Sequence, residues 1–232
     1  PSPVYILASA SIVGTKEGEG PLGTMFDMVG TDDLFGCATW EEAESTLQKE
    51  AVTLALGKAK MKPEELRYIF AGDLLGQAMA TSFGLGSFQV PLFGLFGACS
   101  TCGESLSLGA MAVAGGFAKQ VISVTSSHFA SSERQYRFPL GYGGQRTPTS
   151  QWTVTGSGAA LVTGEKGPVA IESATIGTVT DLGIKDANNM GAAMAPAALQ
   201  TIKAHFRDMN RSADDFDLIV TGDLGQVGKE AL

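Results

Sequence analysis

Apolar side chains recur along this chain in two periods, one of strands and one of helices. Residues 4–9 alternate as a strand does, and 14–36 follow as a long polar, glycine-rich excursion. Between 40 and 60, Ala43, Leu47, Ala51, Leu54 and Ala55 fall at helical spacing and predict an amphipathic helix. Residues 68–71 read as a short buried strand closed by Gly72-Asp73, and 78–88 as a helix. Residues 90–96 are apolar without alternation, the pattern of a strand covered on both faces. The stretch 103–117 consists mostly of Gly, Ala, Ser, Leu and Met and predicts a central helix buried all round. Further strands are expected at 120–126, 158–163, 169–179 and 217–221, and a helix at 192–207. Strands separated by helices predict an α/β architecture with mainly parallel pairing.

One internal match organises these elements. Residues 63–74 (PEELRYIFAGDL) return in kind at 213–224 (ADDFDLIVTGDL), 150 positions on and without a gap. An acidic turn, an apolar strand and Gly-Asp-Leu in one register read as a duplication rather than as two chance helix–turn–strand units. The first half spans 1–163, and 164–232 is the start of a second. A complete second half would run well past Leu232, so the chain reads as a piece of a longer protein; Pro1 is no initiator either.

Composition narrows the classes. The 232 residues are 44% hydrophobic with 30 glycines and a net charge of −8. That balance excludes a binder of nucleic-acid backbone, which needs a basic face. No stretch reaches the ~20 apolar residues that span a bilayer. Three cysteines form no disulfide framework, which suits a reducing compartment.

Candidate chemistry concentrates at 97–103, Gly-Ala-Cys-Ser-Thr-Cys-Gly. A cysteine where a strand turns into a helix meets free N–H groups and the positive end of the helix dipole. Cys99 there can serve as a nucleophile, or its amides can hold an anion; a small core cysteine is the plainer alternative. Cys99 and Cys102 form a C-x-x-C pair. Zinc would need two further ligands, with only Cys37, His128 and His205 left as Cys or His, so no metal site is expected. Cys102 is read as packing.

The segment 97–106 (GACSTCGESL) resembles the nucleophile elbow of the thiolase and ketoacyl-synthase superfamily, with Cys99 on the acylated cysteine. The motifs 71–77 (AGDLLGQ), 116–128, 133–144 (ERQYRFPLGYGG), 153–160 (TVTGSGAA), 181–196 and 218–224 together resemble the stage V sporulation protein AD family of spore-forming bacteria, over essentially the whole chain. That resemblance implies a thiolase-like α/β fold, layered α-β-α-β-α from two duplicated halves, the second incomplete. It implies a non-catalytic role: binding dipicolinic acid, pyridine-2,6-dicarboxylate, for uptake into the developing spore. The family acts as a soluble subunit of a membrane complex, which implies a peripheral place on the cytoplasmic face of the forespore membrane, and thiolase-like proteins are generally homodimers. No cofactor is implied, although calcium can accompany the ligand.

Candidate ligand-binding residues are Cys99, Asp73, Ser127, His128 and Asp223. Asp73 and Asp223 end the duplicated strands, where α/β proteins place ligand-facing groups; capping of a turn or helix is the alternative. Ser126, Ser127 and His128 follow the strand after the central helix and can donate to a carboxylate. Arg134, Arg137 and Arg146 interleave with Tyr136, Phe138 and Tyr142, a set suited to a carboxylated ring or to a subunit interface. The glycines around Ser157 permit close backbone approach, and the acidic run 41–50 reads as a solvated helix face. Three functions stay open: dipicolinate binding, acyl transfer on Cys99, and a structural subunit without a ligand.

Overall fold

Alternation along the strands decides which helix each residue meets. The computed structural model describes residues 2–74, 76–133, 153–186 and 189–232. They divide into two units, one ending at residue 172 and the other beginning at 173. The first contains β1 (Val4–Val13), α1 (Thr15–Gly18), β2 (Met28–Val29), α2 (Trp40–Ala59), β3 (Tyr68–Asp73), α3 (Met79–Leu85), β4 (Leu92–Gly94), α4 (Thr101–Ala114), β5 (Gln120–Ser127), α5 (Phe129–Glu133), β6 (Gly156–Thr163) and β7 (Val169–Ile171). The second contains α6 (Met190–Met209) and α7 (Gly225–Ala231).

The strands form one sheet in the order β2-β1-β6-β5-β3-β4, with β7 also on β1. Ile69 and Ala71 of β3, Ile122 and Val124 of β5, and Ala159 and Leu161 of β6 join Leu47, Ala51, Val52 and Ala55 of α2 in one core. Their alternates Phe70, Val121 and Val162 face the other way, onto Ala110 and Val113 of α4. The period-2 pattern thus builds a helix–sheet–helix sandwich. The helix expected at 40–60 is present. Thr39 and Glu42 form a reciprocal capping box at its start, and Lys60 turns left-handed (φ 55°) at its end.

Several expectations are corrected. Pairing is mixed, not mainly parallel: β3 runs parallel to β4 and β5, and β1 to β2, but β6 lies antiparallel between β1 and β5, and β7 is antiparallel to β1. The strand at 90–96 shrinks to 92–94 and is not covered on both faces. Among the described residues it is the sheet edge, with one neighbour, and Phe93 is 50% exposed. The helix expected at 103–117 begins at Thr101, and only one side is buried, with Cys102, Gly103 and Met111 exposed. The strand at 169–179 keeps only its first three residues. The strand at 217–221 is absent: Leu218–Val220 pairs with no other strand among the described residues, and its apolar side chains stay in solvent. No described helix is long and apolar enough to cross a membrane.

Candidate functional site

The parallel strands β3 and β5 end side by side, Asp73 in register with Ser126, and Ser126 in turn opposite Ser157 of β6. Crevices form at such carboxyl ends. Here a cleft of about 330 Å³ opens there, walled by Ser11 and Val13 of β1, the ends of β5 and β6, Leu74, and the turn carrying Cys99, Thr101 and Cys102.

That turn is built locally. After β4 the chain passes Gly97, takes a left-handed step at Ala98 (φ 48°), and makes one 3-10 turn over Ala98–Ser100 into α4. The buried Thr101 hydroxyl accepts the Gly97 N–H at 3.2 Å, and the Ser100 hydroxyl donates to the Gly97 carbonyl at 2.7 Å. Gly72 of β3 makes this closeness possible: a Cβ there would lie 2.3 Å from the Leu95 carbonyl oxygen and 2.7 Å from Thr101 Cγ2. Cys99 is exposed at the cleft. Glu104 occupies the first turn of α4 and so offsets the positive helix end that the sequence offered to a thiolate.

The five sequence-nominated residues divide. Cys99 and Ser127 both line the cleft, and the Ser127 hydroxyl donates to the Val154 carbonyl. Asp73 is fully buried behind it. Its Oδ1 accepts the Ala78 N–H at 3.2 Å, and its Oδ2 accepts both the N–H and the hydroxyl of Thr81, so it ties down the start of α3. His128 is also fully buried and does not line the cleft. Its Nδ1 accepts the Ala130 N–H at 3.2 Å, leaving Nε2 protonated to donate to the Asp33 carbonyl at 2.7 Å. Asp223 is exposed in the second unit, where its Oδ1 accepts the Gly225 N–H at 2.9 Å. Arg134, Arg137 and Arg146, with Tyr136, Phe138 and Tyr142, lie outside the described residues.

Sequence reasoning missed the polar cluster on the opposite side of the same strand ends. The acidic run 41–50 is not a uniformly solvated face: Glu44 is 3% exposed and Gln48 is fully buried. Glu44 accepts the hydroxyls of Ser126 at 2.9 Å and Ser131 at 2.8 Å. Gln48 Nε2 donates to Ser126 at 2.7 Å and to Thr81 at 3.0 Å, which leaves its Oε1 buried without a partner. Burial pushes the Glu44 carboxyl up to about 7, with Asp73 and Glu41 adding to the rise and the two serine hydroxyls opposing it. The signal was there: 44 and 48 sit beside the buried row 43, 47, 51 and 55, on the flank facing the sheet. Among the described residues, no cluster of three or more His, Cys, Asp or Glu side chains is arranged to hold a metal.

Comparisons with known proteins agree on family and fold. The model of the stage V sporulation protein AD family matches residues 1–232. Stage V sporulation protein AD of Bacillus subtilis (strain 168) is 45% identical over 226 residues, covering 97% of this chain and 67% of that protein. Among solved structures, a variant of OleA from Xanthomonas campestris bound with cerulenin superposes with a TM-score of 0.65 at 15% identity, covering 99% of this chain and 78% of that one. A 3-oxoacyl-(acyl carrier protein) synthase III from Xanthomonas oryzae pv. oryzae gives 0.62 at 15%, covering 99% and 80%. A tetronic acid condensing enzyme gives 0.61 at 16%, covering 98% and 82%. At such identities these structures share the fold alone: a mixed α/β, thiolase-like one. By its match along the whole length, the chain belongs to the stage V sporulation protein AD family.

Proposed function

We propose that the cleft beside Cys99 binds dipicolinate, and that the protein serves the movement of this ligand into the developing spore. The observation that carries this reading is the wall of the cleft. It is lined by small hydroxyl-bearing residues, Ser11, Thr101, Thr125, Ser127 and Ser157 among them, and by no charged side chain among the described residues. Its volume is at the small end for ligand pockets, suited to one flat ring. A dicarboxylate in such a site needs its charge offset by donors, a proton or a cation, so calcium entering with the ligand belongs to the proposal. So do a peripheral place on the cytoplasmic face of the forespore membrane, assembly with other subunits of a stage V membrane complex, and a homodimer; these rest on the family resemblance.

Equilibrium titration with dipicolinate, with and without calcium, tests the reading. Saturable binding that weakens at least about tenfold in Cys99→Trp, which fills the cleft, supports it; no saturable binding in either condition overturns it. The exposed thiol of Cys99 favours one second reading, acyl transfer. It predicts an acyl adduct on Cys99 after incubation with a thioester, visible as a mass increase, and an unmodified Cys99 removes it.

A further inference from the structure

Asp73 and Glu44 are buried carboxylates whose hydrogen-bonded chain contains no cation among the described residues. A continuous run of hydrogen bonds joins them behind the cleft. A carboxylate only accepts, so the Thr81 hydroxyl must give its proton to Asp73, and its oxygen then accepts from Gln48. That fixes the Gln48 amide, whose second N–H goes to Ser126, and the Ser126 hydroxyl passes its own proton to Glu44. Ser126 is the point of contact with the cleft. It borders the ligand space while its hydroxyl points to the other side of the sheet, toward α2. At the far end Asp73 holds the start of α3 just beyond Leu74, another wall residue.

Resting on the reading that the cleft takes an anion, we infer that ligand binding is coupled to uptake of a proton by Glu44 across the strand end. An anion arriving on one side of β5 disfavours a second negative charge on the other, and the low dielectric between them weakens screening. By linkage, whatever raises the proton affinity of Glu44 when the ligand is bound raises the ligand affinity when Glu44 is protonated, by the same factor. Since the Glu44 carboxyl is held near 7, the exchange falls around neutral pH.

Among the described residues, the groups acting on Glu44 are few. Asp73 at the end of β3 and Glu41 on its own helix both favour the proton; the hydroxyls of Ser126 and Ser131 favour the anion. The other packed elements, α3, β5 and β6, carry no ionisable side chain, and β1 has only Tyr5. The described side chains of α5, Phe129 through Ser132, are not ionisable, and the adjacent His128 has both ring nitrogens engaged. Glu44 thus acts as a positioning and charge-balancing residue and touches no ligand.

The test is calorimetric titration of the protein with dipicolinate at pH 7 in two buffers of different ionisation heat, which counts protons taken up per ligand. A fractional uptake, with affinity rising up to about tenfold per pH unit as pH falls through neutrality, is expected. Glu44→Gln should bind with no uptake and a flat pH profile, and Ser131→Ala should move the profile to higher pH. Binding without uptake, or uptake that persists in Glu44→Gln, overturns the inference and leaves the ligand reading standing. Absence of binding overturns both. Independently of ligand, a Glu44 carboxyl that titrates below pH 5 by infrared or carbon NMR overturns the coupling.

Discussion

Residues 40–74 and 190–224 start from the same plan and end differently. Each begins with a 20-residue helix, α2 or α6, closed by a left-handed residue, Lys60 (φ 55°) or Asn210 (φ 51°), 150 positions apart. Each continues into an acidic 3-10 turn, Pro63–Glu65 or Ala213–Asp215. There the likeness stops. Tyr68–Asp73 becomes β3, flanked by β4 and β5, and Ile69 is completely buried. Its counterpart Leu218–Val220 pairs with no strand among the described residues, and Leu218 and Val220 remain 76% and 78% exposed. Helix caps and turns are satisfied by a few neighbours in sequence, so both copies form them. A strand is satisfied only by another strand, which sequence proximity does not supply.

This contrast can be broken or sharpened. The largest effect is in amide hydrogen exchange. The amides of Ile69–Gly72 should exchange about a thousandfold or more slower than those of 219–222, since a central strand opens only with much of the fold. Equal rates would show that the second segment finds a partner in solution. Next comes truncation. Ile69→Ala should cost about 2–5 kcal/mol in denaturant unfolding, and Ile219→Ala less than about 0.5 kcal/mol.

The third is pH dependence, which belongs to the first copy alone because Met194 and Ala198 stand where it has Glu44 and Gln48. The Glu44 carboxyl is raised from 4.5 to about 7, so the folded state holds its proton more tightly than the unfolded chain. The resulting stability is fully present below about pH 4.5 and is lost as pH rises through 7, a loss of about 3 kcal/mol in all. Unfolding measured at pH 5 and pH 8 should show this slope, and Glu44→Gln should remove it. The smallest effect concerns the helix ends. Lys60→Gly should stabilise by about 0.5–1 kcal/mol by relieving a left-handed lysine, while Asn210→Gly should give only a few tenths, because asparagine tolerates that conformation.

Much of the local architecture was legible in the sequence. The helix at 40–60 announced itself by spacing, the end of β3 by Gly72-Asp73, and the turn at Cys99 by a small-residue run between two apolar segments. Neighbours were not legible. Nothing within 90–96 says that β4 lies at an edge, and nothing within 103–117 says that Met111 faces solvent, because both depend on what packs alongside. The candidate site was half visible. Cys99 and Ser127 do meet at a cleft, whereas His128 and Asp73 carry polar types suited to ligands but spend their hydrogen bonds on the surrounding chain. Glu44 was obscured by composition: in a helix start with Glu41 and Glu42 one acid among several does not stand out, and only its place beside Ala43 and Leu47 marks it as turned inward.

At Gly72 the Leu95 carbonyl and the Thr101 methyl fill the volume a side chain would claim, so the turn carrying Cys99 packs directly on the backbone of β3. At the duplicate position no described residue comes within 4 Å of where the Gly222 Cβ would be. The place of the sulfur is therefore set by how closely this turn packs on β3. The shape of the cleft can change through the side chains that wall it, Ser11, Leu74 and Ser157 among them, whereas any side chain at Gly72 would displace the turn itself.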